Sequence, residues 1–468
     1  MTAFRLLPVI AMGILVALVG GADSSQGAPS QRPYQHFRSR PDLRPPPIRI
    51  LKRTRTASSG YVFIAPKKDV AQSGPLILDN WGNVVWFLPV ETKGVTDFRL
   101  QRYHGRPVLT WWRSRSEDGD DVGEYLIYDS SYRAVKHVRP GGGLSGDMHE
   151  FVITPRNTAL MTLSHRVRVK SRWVLEGAFQ ELDLDTGRVV FEWHSIGHVR
   201  LLESYYRLPR DPGRVYDYFH INAIELDADG NFLVSARNTH AIYKISRPTG
   251  RILWRLGGKR SDFSFGRAAR FAWQHDVRLR PDGALTLFDN EAAPKVRKQS
   301  RGLILRLDTK RRKAALIRTF VHTPSLVAVD QGNMQRLSNG HYFVGWGHEP
   351  YFTEFGPQGK TLFDGRFGRG RVDSYRAYRF PWIGRPRYRP AIAVDGNAVF
   401  VSWNGATEVR RWQLLAGDNR KELIPLRSVR KQGFETRIPL PHDAEYVAVR
   451  ALDRKGLSLA RSGTLHRG

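Results

Sequence analysis

A chain of 468 residues, 41% of them hydrophobic, is long enough for two or three domains with a large core and is not a wholly disordered protein. The absence of cysteine excludes thiol nucleophiles, zinc–thiolate sites and disulfides. A formal charge of +30, from 74 Lys+Arg against 44 Asp+Glu, favours anionic partners, although a solubility adaptation of an arginine-rich proteome accounts for the same excess.

The first element in the chain is an address. Arg5 precedes an apolar run from Leu6 to Val19, followed by the small residues Gly20, Gly21 and Ala22. That layout reads as a signal peptide over residues 1–22, so we expect an extracytoplasmic protein, secreted or at the cell surface. Fourteen residues are short for a membrane span, and no second apolar run of spanning length follows. Residues 23–51 read as a flexible basic leader. The stretch Arg38–Arg55, nearly all of whose charges are positive, has the composition for contact with a cell surface or an anionic polymer, or for a solvated tail.

From residue 52 onward a repeat appears. Pairs of short apolar strands around polar turns occur at 75–86, 124–135, 180–193, 241–254, 303–320 and 351–363. A second type of hairpin precedes most of them, at 98–112, 151–163, 221–235, 277–288 and 334–346. Two hairpins per unit make four strands, and radial repetition of four-stranded units describes a propeller. We therefore expect an all-β protein: a six-bladed β-propeller over 52–386, followed by a small fibronectin type III-like β-sandwich over 387–468 with Trp403 and Tyr446 as its aromatic core. Residues 390–403 would alternatively supply a strand pair that closes the ring. Between the two parts, residues 366–389 hold eight arginines and one acid, Asp373, interleaved with aromatics.

In a propeller the starts of the inner strands and the ends of their partners open on one face. The starts read Asp147-Met148-His149-Glu150, Phe219-His220-Ile221-Asn222, Trp273-Gln274-His275-Asp276 and Gly332-Asn333-Met334-Gln335. The partner ends read Ser164-His165, Ala236-Arg237-Asn238, Asp289-Asn290 and Gly347-His348. A lone histidine is ordinarily a satisfied structural residue. Three at equivalent repeat positions point to a site, to which Asn222, Asn238, Asn290, His348 and Trp273 would add substrate contacts. Three imidazoles also suit a metal, but no His-x-His pair occurs among them, so no metal and no cofactor is expected.

The segments Tyr218–Asn222, Ser235–Asn238, Trp254–Gly258 and Trp273–Asp276 resemble the arylsulfotransferase family, in the branch with a C-terminal sandwich. The resemblance extends through Leu287–Asn290 and Val344–Gly347 over nearly the whole mature chain. It implies transfer of a sulfuryl group from a small aryl sulfate to a phenol, without an adenylylated sulfate carrier, through a histidine that becomes transiently sulfated. The position matching that nucleophile is His275, and His149, His220, Asn222 and Arg237 match the anion-binding groups. The chain departs from the periplasmic members in lacking their disulfide.

Elementary chemistry agrees with that implication. A neutral imidazole is a competent nucleophile, and a sulfuryl group in flight spreads charge over three oxygens that Arg237 and protonated His149 or His220 would hold. Trp273, Trp346 and the aromatics of Tyr375–Trp382 are candidates for stacking on a substrate ring or for core packing. The rival readings are a non-catalytic propeller that binds anionic glycans or proteins, and a hydrolase or lyase with the same histidines. Nucleic acid is not an expected partner.

Overall fold

The computed structural model describes residues 34–91, 94–117, 120–368, 370–441 and 444–467. The expected signal peptide and the first part of the leader lie outside them. Residues 33–468 form one compact unit.

Among the described residues six sheets of four or five strands share one plan. Five run in chain order: Val95–Tyr103 to Ala134–Val138, Ser145–Ile153 to Val189–His194, Ile221–Leu226 to Ile252–Gly257, His275–Leu279 to Lys313–Phe320, and Asn333–Arg336 to Thr361–Phe367. The four principal strands of each are antiparallel and consecutive, because the polar turns between them are tight. A fifth strand joins three of the sheets, in parallel for Tyr216–Asp217 and Ser264–Phe265. At Gly187 and Gly250 the chain reverses with φ of +73° and +70°, a conformation that a side chain resists and glycine adopts freely. The apolar runs on either side pack between sheets, as where Phe179, Trp193, Phe219 and Tyr243 share one core cluster.

The sixth sheet is made from both ends of the repeat. Ala377–Phe380 pairs antiparallel with Tyr61–Ile64, which continues to Leu76–Leu78 and Val84–Phe87. The first strands of the six sheets then touch in a closed circle, 95–103 to 145–153, 221–226, 275–279, 333–336, 377–380 and back to 95–103. The architecture is all-β and propeller-like. The seam is tight: a Cβ on Gly345 would lie 2.6 Å from the Ala377 nitrogen and 2.4 Å from Asn333 Oδ1, so this position admits no side chain.

Two expectations change here. The circle is closed by Ala377–Phe380 rather than by the alternative strand pair at 390–403. The latter strands, Ala391–Asp395 and Ala398–Ser402, pair with each other, and Ala398–Ser402 pairs on its other side with Glu435–Pro439. The last residues of the expected flexible leader are also placed, since Ile48–Arg53 pairs with Thr361–Phe367. The cause is apolar alternation, with Ile48 and Ile50 packing on the cluster that holds Phe352, Phe363 and Phe367.

After Pro390 the chain forms two further sheets, one of three strands and one built on Arg411–Gly417 and Tyr446–Leu452. Val399, Val401 and Ile438 of one face Trp412, Leu414, Val447 and Val449 of the other across one core. Trp403 joins that core as expected. Tyr446 does not: it is half-buried at the sheet's end against His466, and Trp412 occupies the centre. Asn404 ties these sheets to the propeller-like part through both backbone groups of Phe87, each at 2.9 Å.

Candidate active site

Most side chains of the expected site sit where an inner strand begins or its partner ends, while His149 lies midway along Ser145–Ile153 within a break of its register. His220 and Arg237 flank the hairpin of Ile221–Leu226 and Phe232–Ala236, and His275 and Asn290 flank that of His275–Leu279 and Leu285–Asp289. The inner strands do not enter this mouth as regular ladders. Their registers shift between Gly146 and Phe151, Ile221 and Ala223, and His275 and Arg278. Asp97, His220, Trp273, Asp276 and Gln331 take left-handed φ of 51–63°. Such bulges and strained residues turn side chains that a regular strand would alternate toward one place.

His275 lies at the bottom, 1% exposed. Its Nδ1 meets Asn290 Oδ1 at 2.7 Å, and Asn290 Nδ2 donates to the carbonyls of Ala328 and Gln331 at 3.0 and 2.9 Å. The amide is therefore oriented with its oxygen toward the imidazole, which makes Nδ1 the protonated nitrogen and leaves the lone pair on Nε2. Only the Gln331 N–H reaches Nε2, at a long 3.3 Å. Burial pushes this imidazole well below its ordinary pKa; the Arg237 guanidinium adds to the effect, and His220 and His149 contribute smaller repulsions.

Arg237 is held by Asn238 Oδ1 at 2.9 Å and the Val329 carbonyl at 3.0 Å, while its Nε is buried without a partner. It lies 4.8 Å over the Trp273 ring. Burial lowers its pKa against the pull of Asp330 and Asp217.

His149 and His220 meet edge to face with ring centroids 4.6 Å apart, and Tyr375 lies 5.6 Å from His149. Each imidazole has a carboxylate on Nδ1, Asp147 for His149 and Asp217 for His220. The pair of dyads presents two Nε2 atoms with fixed tautomers. Burial would raise the Asp147 carboxyl, but His149 and then His220 outweigh it and hold it below the usual range.

The remaining expected residues divide. Asn238 Nδ2 donates to the Asp217 carbonyl at 2.6 Å, and Asn222 Nδ2 to Gln274 at 2.7 Å, leaving Asn222 Oδ1 buried and unpartnered. Trp273 is buried beneath Arg237 with Nε1 on the Pro294 carbonyl, and Trp346 is bonded to Thr353, so both serve packing. His348 stands apart at the rim, 3.5 Å from Asp330 and 3.4 Å from Lys68.

Several participants escaped the sequence reading. Asp147 and Asp217 precede their histidines by two and three residues, so both dyads are local in sequence although their spacings differ. His240 stacks on Tyr205 at 4.1 Å and meets Trp273 at 4.2 Å, its pKa lowered to about 3 by burial and then by Arg237 and Lys259. Arg376 comes from the arginine-rich segment, which is part buried and part open, with Arg371, Arg387 and Arg389 facing solvent. Arg376 and Arg379 are buried on Glu150, Asp97 and Glu354, and Arg385 pairs with Glu408.

Below His275 the channel is filled by charge. Arg376 bonds Asp97 at 2.8 Å, Glu150 at 3.0 Å and the Asn222 carbonyl at 2.7 Å. Arg278 joins Glu150 and Asp276 at 2.6 and 2.8 Å, Arg99 binds Asp97 and Glu150, and Asp276 accepts from the Met334 N–H at 3.1 Å. Burial alone would raise Glu150, yet Arg278, Arg376 and Arg99 together hold it far below the usual carboxylate range. One ionic knot thus links the inner strands of all six sheets.

Residues 99–368 match the arylsulfotransferase (ASST) family. No protein with a curated description matches the chain. Among solved structures, a protein of unknown function from Bacteroides caccae is similar at 14% identity, over 68% of this chain and 98% of that one, with a TM-score of 0.43. The virginiamycin B lyase of Staphylococcus aureus is similar at 11% identity (76% and 94% covered, TM-score 0.33). The Cps50 (Swd1) β-propeller domain of Myceliophteria thermophila is similar at 13% (77% and 98% covered, TM-score 0.36).

Proposed function

We propose, for a chain that belongs to the arylsulfotransferase family, that His275 takes a sulfuryl group from an aryl sulfate and passes it to a phenol. The observation that carries this reading is the His275 environment: a buried imidazole held neutral, with Nδ1 pinned by Asn290 and Nε2 carrying the lone pair. The Nε2 lone pair attacks sulfur as the S–O bond to the aryl group breaks. The departing phenolate takes a proton from the Nε2 of His149 or His220, whose carboxylate partners stabilise the charged ring beforehand. The acceptor phenol then attacks the N-bound sulfur, returns its proton to the same imidazole and frees His275. No cofactor enters this balance.

Arg237 is the group suited to the charge on the sulfuryl oxygens, being fixed by two acceptors beside His275 with its buried Nε–H unpartnered. Asn222, Asn238 and His348 would orient or admit the substrate. On this reading Arg237→Ala lowers kcat by about 10²–10³ while leaving the fold intact by circular dichroism. A loss under about fivefold would show that Arg237 does not face the transferred group.

The same proposal takes the six sheets as blades of a six-bladed β-propeller over 52–386 and the last two sheets as a fibronectin type III-like domain over 387–468. It takes residues 1–22 as a signal peptide, and the site of action as outside the cytoplasm. The test is intact-mass spectrometry after brief mixing with a chromogenic aryl sulfate and no acceptor. A gain of about 80 Da, one sulfuryl group, mapped to residue 275 and matched by a stoichiometric burst of phenol, is the expected result. Neither gain nor burst across a panel of aryl sulfates would leave the propeller as an anion-binding module.

A further inference from the structure

Outside the channel mouth, a second constellation lies on the sheet that begins at Ser145. His165 on Thr158–Val169 stands directly opposite Glu176 on Arg172–Asp183. His194, at the end of Val189–His194, pairs with Ala178, two residues along the same strand. Side chains two apart on a strand share a face, so three adjacent strands present His165, Glu176 and His194 on one side of the sheet. His165 Nδ1 and His194 Nδ1 converge on a single oxygen, Glu176 Oε1, at 2.7 and 2.9 Å, and the three ligand atoms all lie within 4.8 Å of one another.

Two further features set the group apart. In a chain this basic most other buried carboxylates rest on guanidinium or ammonium groups, Glu150 on three arginines, Glu181 on Arg156 and Arg247, Glu354 on Arg379 and Asp289 on Arg301, whereas Asp364 meets the single imidazole of His322. Among the described residues the ion pairs of Glu176, which is 4% exposed, are with the two imidazoles. The second feature is outside the triad. His194 Nε2 donates to Glu192 Oε1 at 2.7 Å, and Glu192 Oε2 accepts from Gln180 at 2.5 Å. A carboxylate on the far nitrogen fixes the ring with Nδ1 inward, as the outer partners of metal-bound histidines do.

We propose that His165, Glu176 and His194 bind one zinc-type divalent cation, with Glu192 as the positioning residue behind His194. Two imidazole nitrogens and a carboxylate oxygen are a ligand set that zinc takes, with a fourth position left for water. Ligand atoms around tetrahedral zinc stand roughly 3.3 Å apart, so each imidazole nitrogen need draw back from Glu176 Oε1 by about half an ångström, and the three atoms already lie within 4.8 Å of one another. The ion replaces the two hydrogens now shared with Glu176 Oε1, and Oε2 keeps its bond from the Ile196 N–H. Both imidazoles are about one third exposed, which gives the ion its way in.

The experiment is calorimetric titration of the EDTA-treated full chain with zinc chloride, repeated on variants whose circular dichroism matches the wild type. One ion per chain is expected, with a dissociation constant in the micromolar range or tighter. His165→Ala and His194→Ala should each weaken it at least about 100-fold and Glu192→Gln about tenfold, while His149→Ala leaves it unchanged. His165 is at the rim and its replacement leaves the core intact, so a folded variant is available even if Glu176 tolerates no change. No saturable binding by the wild type, or binding that survives both histidine replacements, overturns the proposal.

Discussion

His275→Ala is expected to lower aryl-sulfate turnover by on the order of 10⁴-fold or more and to abolish both the mass gain and the phenol burst. Loss of a covalent nucleophile removes the reaction path itself, whereas loss of a charge donor only raises its barrier. The variant should fold, because the imidazole has few internal bonds: Asn290 keeps two of its partners and the Gln331 N–H loses only a long contact. Acidity adds a second reading of the same residue. Burial, then Arg237, hold His275 neutral in a range where a free imidazole, of pKa near 6.5, is mostly protonated. The acid limb of kcat/KM should accordingly fall below pH 6.5, measured with a donor whose own charge is constant there. More than about 1% residual turnover in His275→Ala would move the nucleophile elsewhere.

Arg376→Ala is the second large effect, and it is one of stability. Arg376 is wholly buried and bonds Asp97, Glu150 and the Asn222 carbonyl, groups from three different sheets. Burying a charge costs several kcal/mol, and the knot repays that only while each carboxylate keeps its guanidinium. Removing one partner leaves excess negative charge in the channel and a void the size of the side chain, at a cost of about 3–5 kcal/mol in urea unfolding. Arg376→Lys keeps the charge but not the fork of donors, and should fall between the two. A loss below about 1 kcal/mol would mean that water fills the gap and the knot does not hold the sheets together.

How much of this was legible follows from the scale of each signal. The hairpins were visible because a strand pair around a tight turn is a local pattern, as at Gly187 and Gly250. His149, His220 and His275 were visible because the repeat put them at equivalent places. Arg376 was not, since in sequence it is one of eight arginines in a run, and only the closing sheet distinguishes a buried guanidinium from a solvated one. The closing strand itself, Ala-Tyr-Arg-Phe, is too short to carry a period of its own. Its partner lies at the other end of the chain. The His165–Glu176–His194 group depends on register across three strands, which no spacing along the chain expresses.

The seam also sets a timetable. The Ala65 N–H donates to Ser374 Oγ, 309 residues further along the chain. At about 5–20 residues per second, synthesis leaves Tyr61–Ile64 waiting on the order of 15–60 s for the strand that covers it. For that interval the nascent protein carries an unpaired sheet edge, the kind of surface on which neighbouring chains add strands of their own. The last-made strand of the circle is therefore also its guard against aggregation, and the moment of danger in the life of this protein comes before the circle closes.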